Sequence, residues 1–159
     1  MTTTLWRQIV TSIIINGEDL VARFPDTRID HDTKYFYNGW LNRQLVFNRC
    51  ADCGEWHAPP KPVCPKCWSF NIVPTAIGGK GTIHLLSRLY MGPPAPDVDY
   101  KAGPHPVATV ELDEQPGLRY TSTVINCPTD KIQIGMRIQL AWIERYGAPY
   151  PVFEPLREA

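Results

Sequence analysis

The chain has no surplus charge: sixteen Lys and Arg stand against sixteen Asp and Glu, for a formal net charge of zero. Proteins that bind nucleic acid through its phosphates ordinarily carry a basic excess, because their cations displace condensed counterions. That footprint is missing. Long apolar runs are missing too, since nothing approaches the roughly 20 consecutive apolar residues that cross a bilayer. The opening stretch, MTTTLWRQIVTSIIINGEDL, has only a short apolar run at Ile13–Ile15 and no small-residue cleavage site, so a signal peptide is not expected. A cytoplasmic setting is the resulting expectation, and there disulfides are disfavoured.

Catalytic signatures are equally scarce. There is no GxSxG and no HExxH, and GGKG at 78–81 precedes a strand-like run instead of the helix that a phosphate-cradling loop requires. His84 and His105 fall on separate strand and loop segments. Cys127, at the end of a strand-like run, reads as a small buried hydrophobe with no activating base or acid in its neighbourhood. A self-sufficient hydrolase or thioesterase therefore has little to build on.

What the chain does have is cysteine in a pattern. Four of its five cysteines form two CxxC pairs, Cys50/Cys53 and Cys64/Cys67, within NRCADCGEWHAPPKPVCPKCWSF. Each CxxC turn brings two thiolates around one ion, and two turns complete a tetrahedral shell. Gly54 and Pro65 stand where the turns must be tight. A closed shell of four thiolates has no position for a bound water, so the expected metal is structural zinc and not catalytic zinc. Its binding energy, on the order of 10–16 kcal/mol in isolated finger peptides, would help fold a loop with almost no core of its own. A thioredoxin-like redox role needs a strand-to-helix context, and neither pair opens an amphipathic helix. His57 reads as a surface or supporting residue, because four sulfurs already suffice.

The rest of the pattern is mainly β. At 159 residues the chain suits one domain with small appendages, able to bury roughly 70% of its unfolded surface. Leu5, Ile9 and Ile13, with Trp6, Val10 and Ile14, fall at helical spacing, and Asn16-Gly17 is the expected stop. This segment reads either as a helix packed on its own domain or as an arm lying on a partner. Asp30, Asp32 and Thr33 offer capping oxygens for a second helix, TKYFYNGWL, expected to end near Gly39. Its Tyr35, Phe36 and Trp40 serve either as core or as interface anchors. Strands are expected at 45–48, 80–91, 106–114, 118–127, 137–146 and 150–156, the last an edge strand because of its prolines. Five strands in the last half, without an intervening helix, predict a small closed or part-closed barrel.

Taken together, YFYNGWLNRQLVFNRCADCG, PPKPVCPKCWS, GKGTI, PVATVELDE and IGMRIQLAWIE…YPVFEP resemble the zinc-ribbon/OB-fold proteins once termed domain of unknown function 35. The resemblance covers roughly residues 33–156. It implies an N-terminal helical segment (1–42), a rubredoxin-like zinc ribbon (43–75) and a five-stranded OB-fold barrel (76–159). It also implies a non-catalytic accessory subunit of a thiolase-superfamily acyl-CoA enzyme, a thiolase or retro-aldolase, in a hetero-oligomer of two plus two chains. Degradation of a steroid side chain or an aromatic acid is the implied setting. Tyr35, Phe36 and Trp40 are then the candidate docking residues. A coenzyme A thioester becomes a candidate ligand for Lys80, His84, Arg88 and Lys101, which lie on or near the first barrel strand. Residues 1–30 match no motif of that family. The reading of a different class is a single-stranded nucleic-acid module, since ribbons and OB-folds also serve there. Residues 43–73 offer it a net of only about two positive charges.

Overall fold

The computed structural model describes residues 16–157 other than Asp26 and Pro94. The chain divides into two compact units, Met1–Ala76 and Ile77–Ala159. The helical periodicity expected at residues 5–14 lies outside the described residues. Among the described residues no helix is long and apolar enough to cross a membrane.

Among the described residues the first unit holds α1 (Gly17–Arg23) and α2 (Lys34–Leu41), followed by β1 (Val46–Cys50), β2 (Trp56–His57) and β3 (Ile72–Ala76). Asn16, read as the stop of a helix that lies outside the described residues, caps α1. Its side-chain oxygen accepts from the N–H groups of Glu18 and Asp19, satisfying two donors that the first turn leaves free. Glu18 and Asp19 at the start and Arg23 at the end complement the helix dipole. Asp30 caps nothing directly; its carboxylate accepts from the N–H groups of Asp32 and Thr33 and so shapes the turn into α2. Gly39 does not end α2, which runs two residues further. A Cβ there would fall 2.6 Å from the Gln44 carbonyl oxygen and 2.7 Å from Val46 Cγ2, so glycine lets the returning chain lie against the helix.

Strand β1 is the centre of a three-stranded antiparallel sheet, order β2-β1-β3. Neither β2 nor β3 was legible beforehand. The first is two residues long, and Pro74 interrupts the second; β3 tolerates that proline because it is an edge strand. The core beside β1 is aromatic. Phe36 stacks on Phe47 at 6.0 Å and 10°, Phe24 packs on Tyr37 and Trp40, and Phe36 meets Trp40 at 5.3 Å. Leu20 and Leu45 are buried in the same unit.

The second unit holds β4 (Lys80–Leu89), β5 (His105–Leu112), β6 (Arg119–Thr123), β7 (Arg137–Arg145) and β8 (Ala148–Pro155) in one sheet, order β6-β5-β4-β7-β8, every ladder antiparallel. Strand β5 alternates perfectly, with Pro106, Ala108, Val110 and Leu112 inward. Ile83, Leu118, Val124, Ile132, Ile138, Ala148, Val152 and Phe153 are buried with them.

This sheet is not a closed barrel, which leaves the part-closed form of the sequence expectation. Its outer strands β6 and β8 approach through one parallel bridge, Val124 with Phe153, and the Ile125 N–H donates to the Phe153 carbonyl at 2.8 Å. The reason lies in β8. Residues of one parity on a strand turn their N–H and C=O groups toward the same edge, and on the edge away from β7 these are Pro149, Pro151, Phe153 and Pro155. Three of the four have no N–H, so a ladder cannot run along that edge and pairing concentrates at Phe153. The Ser122 hydroxyl adds a side-chain bond to the Pro151 carbonyl, at 2.7 Å. Strand β6 stops at Thr123, where a strand to 127 was expected, and Asn126 turns the chain with φ 57°.

Candidate metal centre

Cys50 ends β1, Cys53 follows in the turn to β2, and Cys64 and Cys67 lie on the excursion between β2 and β3. The two turns are built alike. In the first, the Cys50 N–H donates to the Glu55 carbonyl at 2.8 Å and the Gly54 N–H to the Cys50 carbonyl at 2.9 Å. In the second, the Cys64 N–H donates to the Ser69 carbonyl at 2.9 Å and the Trp68 N–H to the Cys64 carbonyl at 3.0 Å. Cross-links tie one turn to the other. The Asp52 carboxylate accepts from the Ser69 hydroxyl and from Asn71 Nδ2, Lys66 Nζ pairs with Glu55 at 3.1 Å, and the Ala51 N–H donates to the Asn71 carbonyl.

The four sulfurs lie within 4.8 Å of one another, with Cys50 to Cys67 and Cys53 to Cys64 each 3.6 Å apart. A tetrahedron with zinc–sulfur bonds of about 2.3 Å has edges of about 3.8 Å, so the donor set fits a four-thiolate metal. Among the described residues, no other cluster of His, Cys, Asp and Glu is arranged to hold a metal ion. The thiol environment also suits a cation. The Cys53 N–H aimed at Cys50 lowers that thiol to about 7. At Cys67 the Ser69 N–H pulls the same way, but neighbouring sulfurs and burial outweigh it and push the thiol up to about 12. Four adjacent thiols cannot all lose their protons unless a positive ion replaces them.

His57 is buried on β2, which excludes the surface alternative and leaves that of a supporting residue. Burial lowers its pKa, and its ring nitrogens have no hydrogen-bond partner among the described residues. The four sulfurs cluster without it.

The residue after the second cysteine sets the two turns apart. Gly54 has φ 78°, a left-handed conformation that glycine adopts freely. Its counterpart is Trp68, with φ 61°, where a bulky side chain costs on the order of 1–2 kcal/mol. The indole is 77% exposed, and Phe70, two residues on, is 79% exposed. Sequence reasoning passed over both; the available signal was the tryptophan directly after a CxxC, where the first pair has glycine. Of the three aromatics expected at a docking face, Phe36 and Trp40 take part in the ring cluster of their own unit. Tyr35 is half-buried, with Lys34 Nζ 5.1 Å over its ring.

The expected ligand-binding cations lie apart. Lys80 begins β4 and Arg88 nearly ends it, eight residues or about 26 Å along the strand. His84 sits exposed at the bulge between Ile83 and Leu85. Arg88 Nη2 donates to the carbonyls of Thr129 and Ile132 at 3.2 and 2.9 Å and lines a cleft of about 560 Å³ with Tyr90, Gly103, Pro104, Thr129 and Asp130. Lys101 is near that cleft in sequence, one residue before Ala102 in its wall. The loop supplying this wall is clamped by Arg145, whose Nε and Nη2 donate to the Asp97 carboxylate at 2.8 and 2.7 Å while its guanidinium lies 4.3 Å from the centre of the Tyr150 ring. Cys127 is half-buried beyond β6.

Comparison with known proteins matches both units. A family model described as ChsH2, rubredoxin-like zinc ribbon domain, matches residues 38–73, and one described as ChsH2, C-terminal OB-fold domain, matches residues 74–143. A probable enoyl-CoA hydratase alpha subunit of Thermomonospora curvata is 34% identical over 132 residues, covering 82% of this chain but only 40% of that protein. A DUF35 domain-containing scaffold protein of Methanothermobacter thermautotrophicus is 32% identical over 100 residues, 62% of this chain and 71% of that one. Among solved structures, a chain of an Ltp2-ChsH2(DUF35) aldolase is 34% identical with a TM-score of 0.70, covering 81% of this chain and 98% of that chain.

Proposed function

We propose that this chain, which belongs to the ChsH2 (DUF35) family of zinc-ribbon and OB-fold proteins, is the accessory subunit of a thiolase-superfamily enzyme acting on acyl-CoA. The partner carries the reacting groups and makes or breaks a carbon–carbon bond, by thiolysis or retro-aldol cleavage. This chain docks to it and stabilises it in a two-plus-two hetero-oligomer, in the cytoplasm, with steroid side-chain or aromatic-acid breakdown as the setting. The single observation that carries the reading is the likeness to a chain of the Ltp2-ChsH2(DUF35) aldolase over 98% of that chain's length.

The metal is assigned a structural role. Cys50, Cys53, Cys64 and Cys67 would hold zinc, and a divalent cation with four thiolates has no coordination position left for substrate. What the residues then do is hold the two turns in register, which the Asp52–Ser69 and Lys66–Glu55 links support. A contribution to acyl-CoA binding rests with Arg88 and Lys101 beside the cleft of the second unit, with Lys80 and His84 further along β4.

Co-expression with thiolase-fold proteins of the same organism, beginning with any encoded beside this chain, tests the proposal. The expected result is a complex that co-elutes in size-exclusion chromatography, together with a partner that loses activity or solubility when made alone. A partner fully active and soluble by itself would refute it.

A further inference from the structure

The second CxxC turn contains an expense that the fold of this chain does not explain. Trp68 takes the left-handed conformation that Gly54 takes in the matching turn, with the same hydrogen bond to the first cysteine. Glycine would satisfy that geometry without strain. The tryptophan returns nothing to the chain's own core, since its indole and the Phe70 ring are exposed and have no ring or cation partner among the described residues. Strained, exposed aromatics of this kind mark functional surfaces, and tryptophan is the residue most enriched at the energetic centres of protein interfaces.

We infer that Trp68 and Phe70 form the anchor by which this ribbon inserts into an apolar pocket on the catalytic subunit. The inference rests on the accessory-subunit reading above. Charge supports a protein occupant with an uncharged pocket. Around the turn, Lys66 is paired with Glu55, Asp52 is taken up by Ser69 and Asn71, and Arg49 lies 5.4 Å over the Trp56 ring. Four thiolates around a divalent cation leave two negative charges, which cancel the basic excess of residues 43–73. The aromatic pair is thus presented on an electrically neutral knuckle, which attracts neither nucleic-acid phosphates nor anionic lipid. A neutral, apolar protein surface is its complement.

The test uses the full chain in three forms, wild type, Trp68→Gly and Phe70→Ser, each titrated calorimetrically against the thiolase-fold partner. Trp68→Gly is expected to keep one zinc per chain by elemental analysis and to melt no lower than wild type, because glycine suits the backbone. It is expected to weaken binding by about 30-fold or more, and Phe70→Ser by about tenfold. If wild type binds and Trp68→Gly binds within about threefold of it, the anchor is wrong while the accessory role stands. If wild type itself does not bind, the accessory role falls and takes the anchor with it. A Trp68-dependent gel shift with single-stranded oligonucleotide, or a Trp68-dependent dimer of this chain alone, would overturn the inference in favour of base stacking or self-association.

Discussion

The two units solve the same problem by different means. The second has a strand pattern long enough to bury its own interior: β5 places every other residue inside, and Val110, Ile138, Val152 and Phe153 are almost inaccessible. The first has, among the described residues, three short strands and two short helices, with an aromatic cluster beside β1 and four sulfurs at and beyond its end. Hydrophobic burial scales with the area removed from water, and a sheet whose strands have two to five residues removes little at its cysteine end. An ion held by four ligands supplies there what side-chain packing supplies in the second unit. Where burial is abundant the chain tolerates an unclosed sheet edge; where burial is scarce it depends on cross-links.

Metal removal is the largest blow to this contrast. Chelation, or Cys64→Ser, is expected to abolish hydrogen-exchange protection of the amides of residues 50–76 while leaving β4, β5 and β7 protected. Acid should act likewise, because each thiolate ligand takes up a proton as the ion leaves. Loss of protection in both units at once would show a single cooperative block. The reverse experiment is Phe153→Ala. It removes a fully buried ring and the side chain at the one bridge between β6 and β8, and should cost about 3–5 kcal/mol by denaturant unfolding of the second unit, with zinc retained.

A smaller effect distinguishes two ion pairs within the second unit. Asp97 and Arg145 are 33% and 14% exposed, whereas Asp113 and Arg137 are 47% and 45% exposed. Asp97→Asn should cost about 1–2 kcal/mol, and Asp113→Asn no more than about 0.5 kcal/mol. Burial alone would raise the Asp97 carboxyl, but the Arg145 guanidinium more than offsets it and holds it below the usual range. Its contribution is therefore complete above the unfolded carboxylate pKa of about 4 and disappears as pH falls through the lower folded value. Asp97→Asn should flatten the acid limb of the stability curve; an unchanged limb would remove the clamp from the account.

Much of this was visible in advance, for local reasons. Cysteines three apart in two pairs imply a four-sulfur shell wherever the turns happen to lie, and the alternation in β5 and β7 is carried by neighbouring residues. The misses have a common character. Asn16 was read only as the end of a helix that lies outside the described residues, and the short helix it caps was not announced by the pattern. Gly39 looked like a stop too, whereas its role is to admit Gln44 and Val46, whose approach no helical pattern announces. Strand β3 was hidden by Pro74, which is permissible only because that strand has a neighbour on one side.

By itself the chain's order of residues pointed to four cysteines that can share one metal and to the mainly β character, since each follows from spacings within a few residues. Tertiary structure alone decided three other features. The sheet stays open along β8, because the parity of three prolines matters only once the opposite edge is known to face β7. The helical aromatics Phe36 and Trp40 gather with Phe24 and Phe47, because which face of a short helix is covered depends on what the fold brings against it. And Trp68 is held out in a glycine's conformation, because a backbone angle is set by the hydrogen bonds of the whole turn and not by the residue that occupies it.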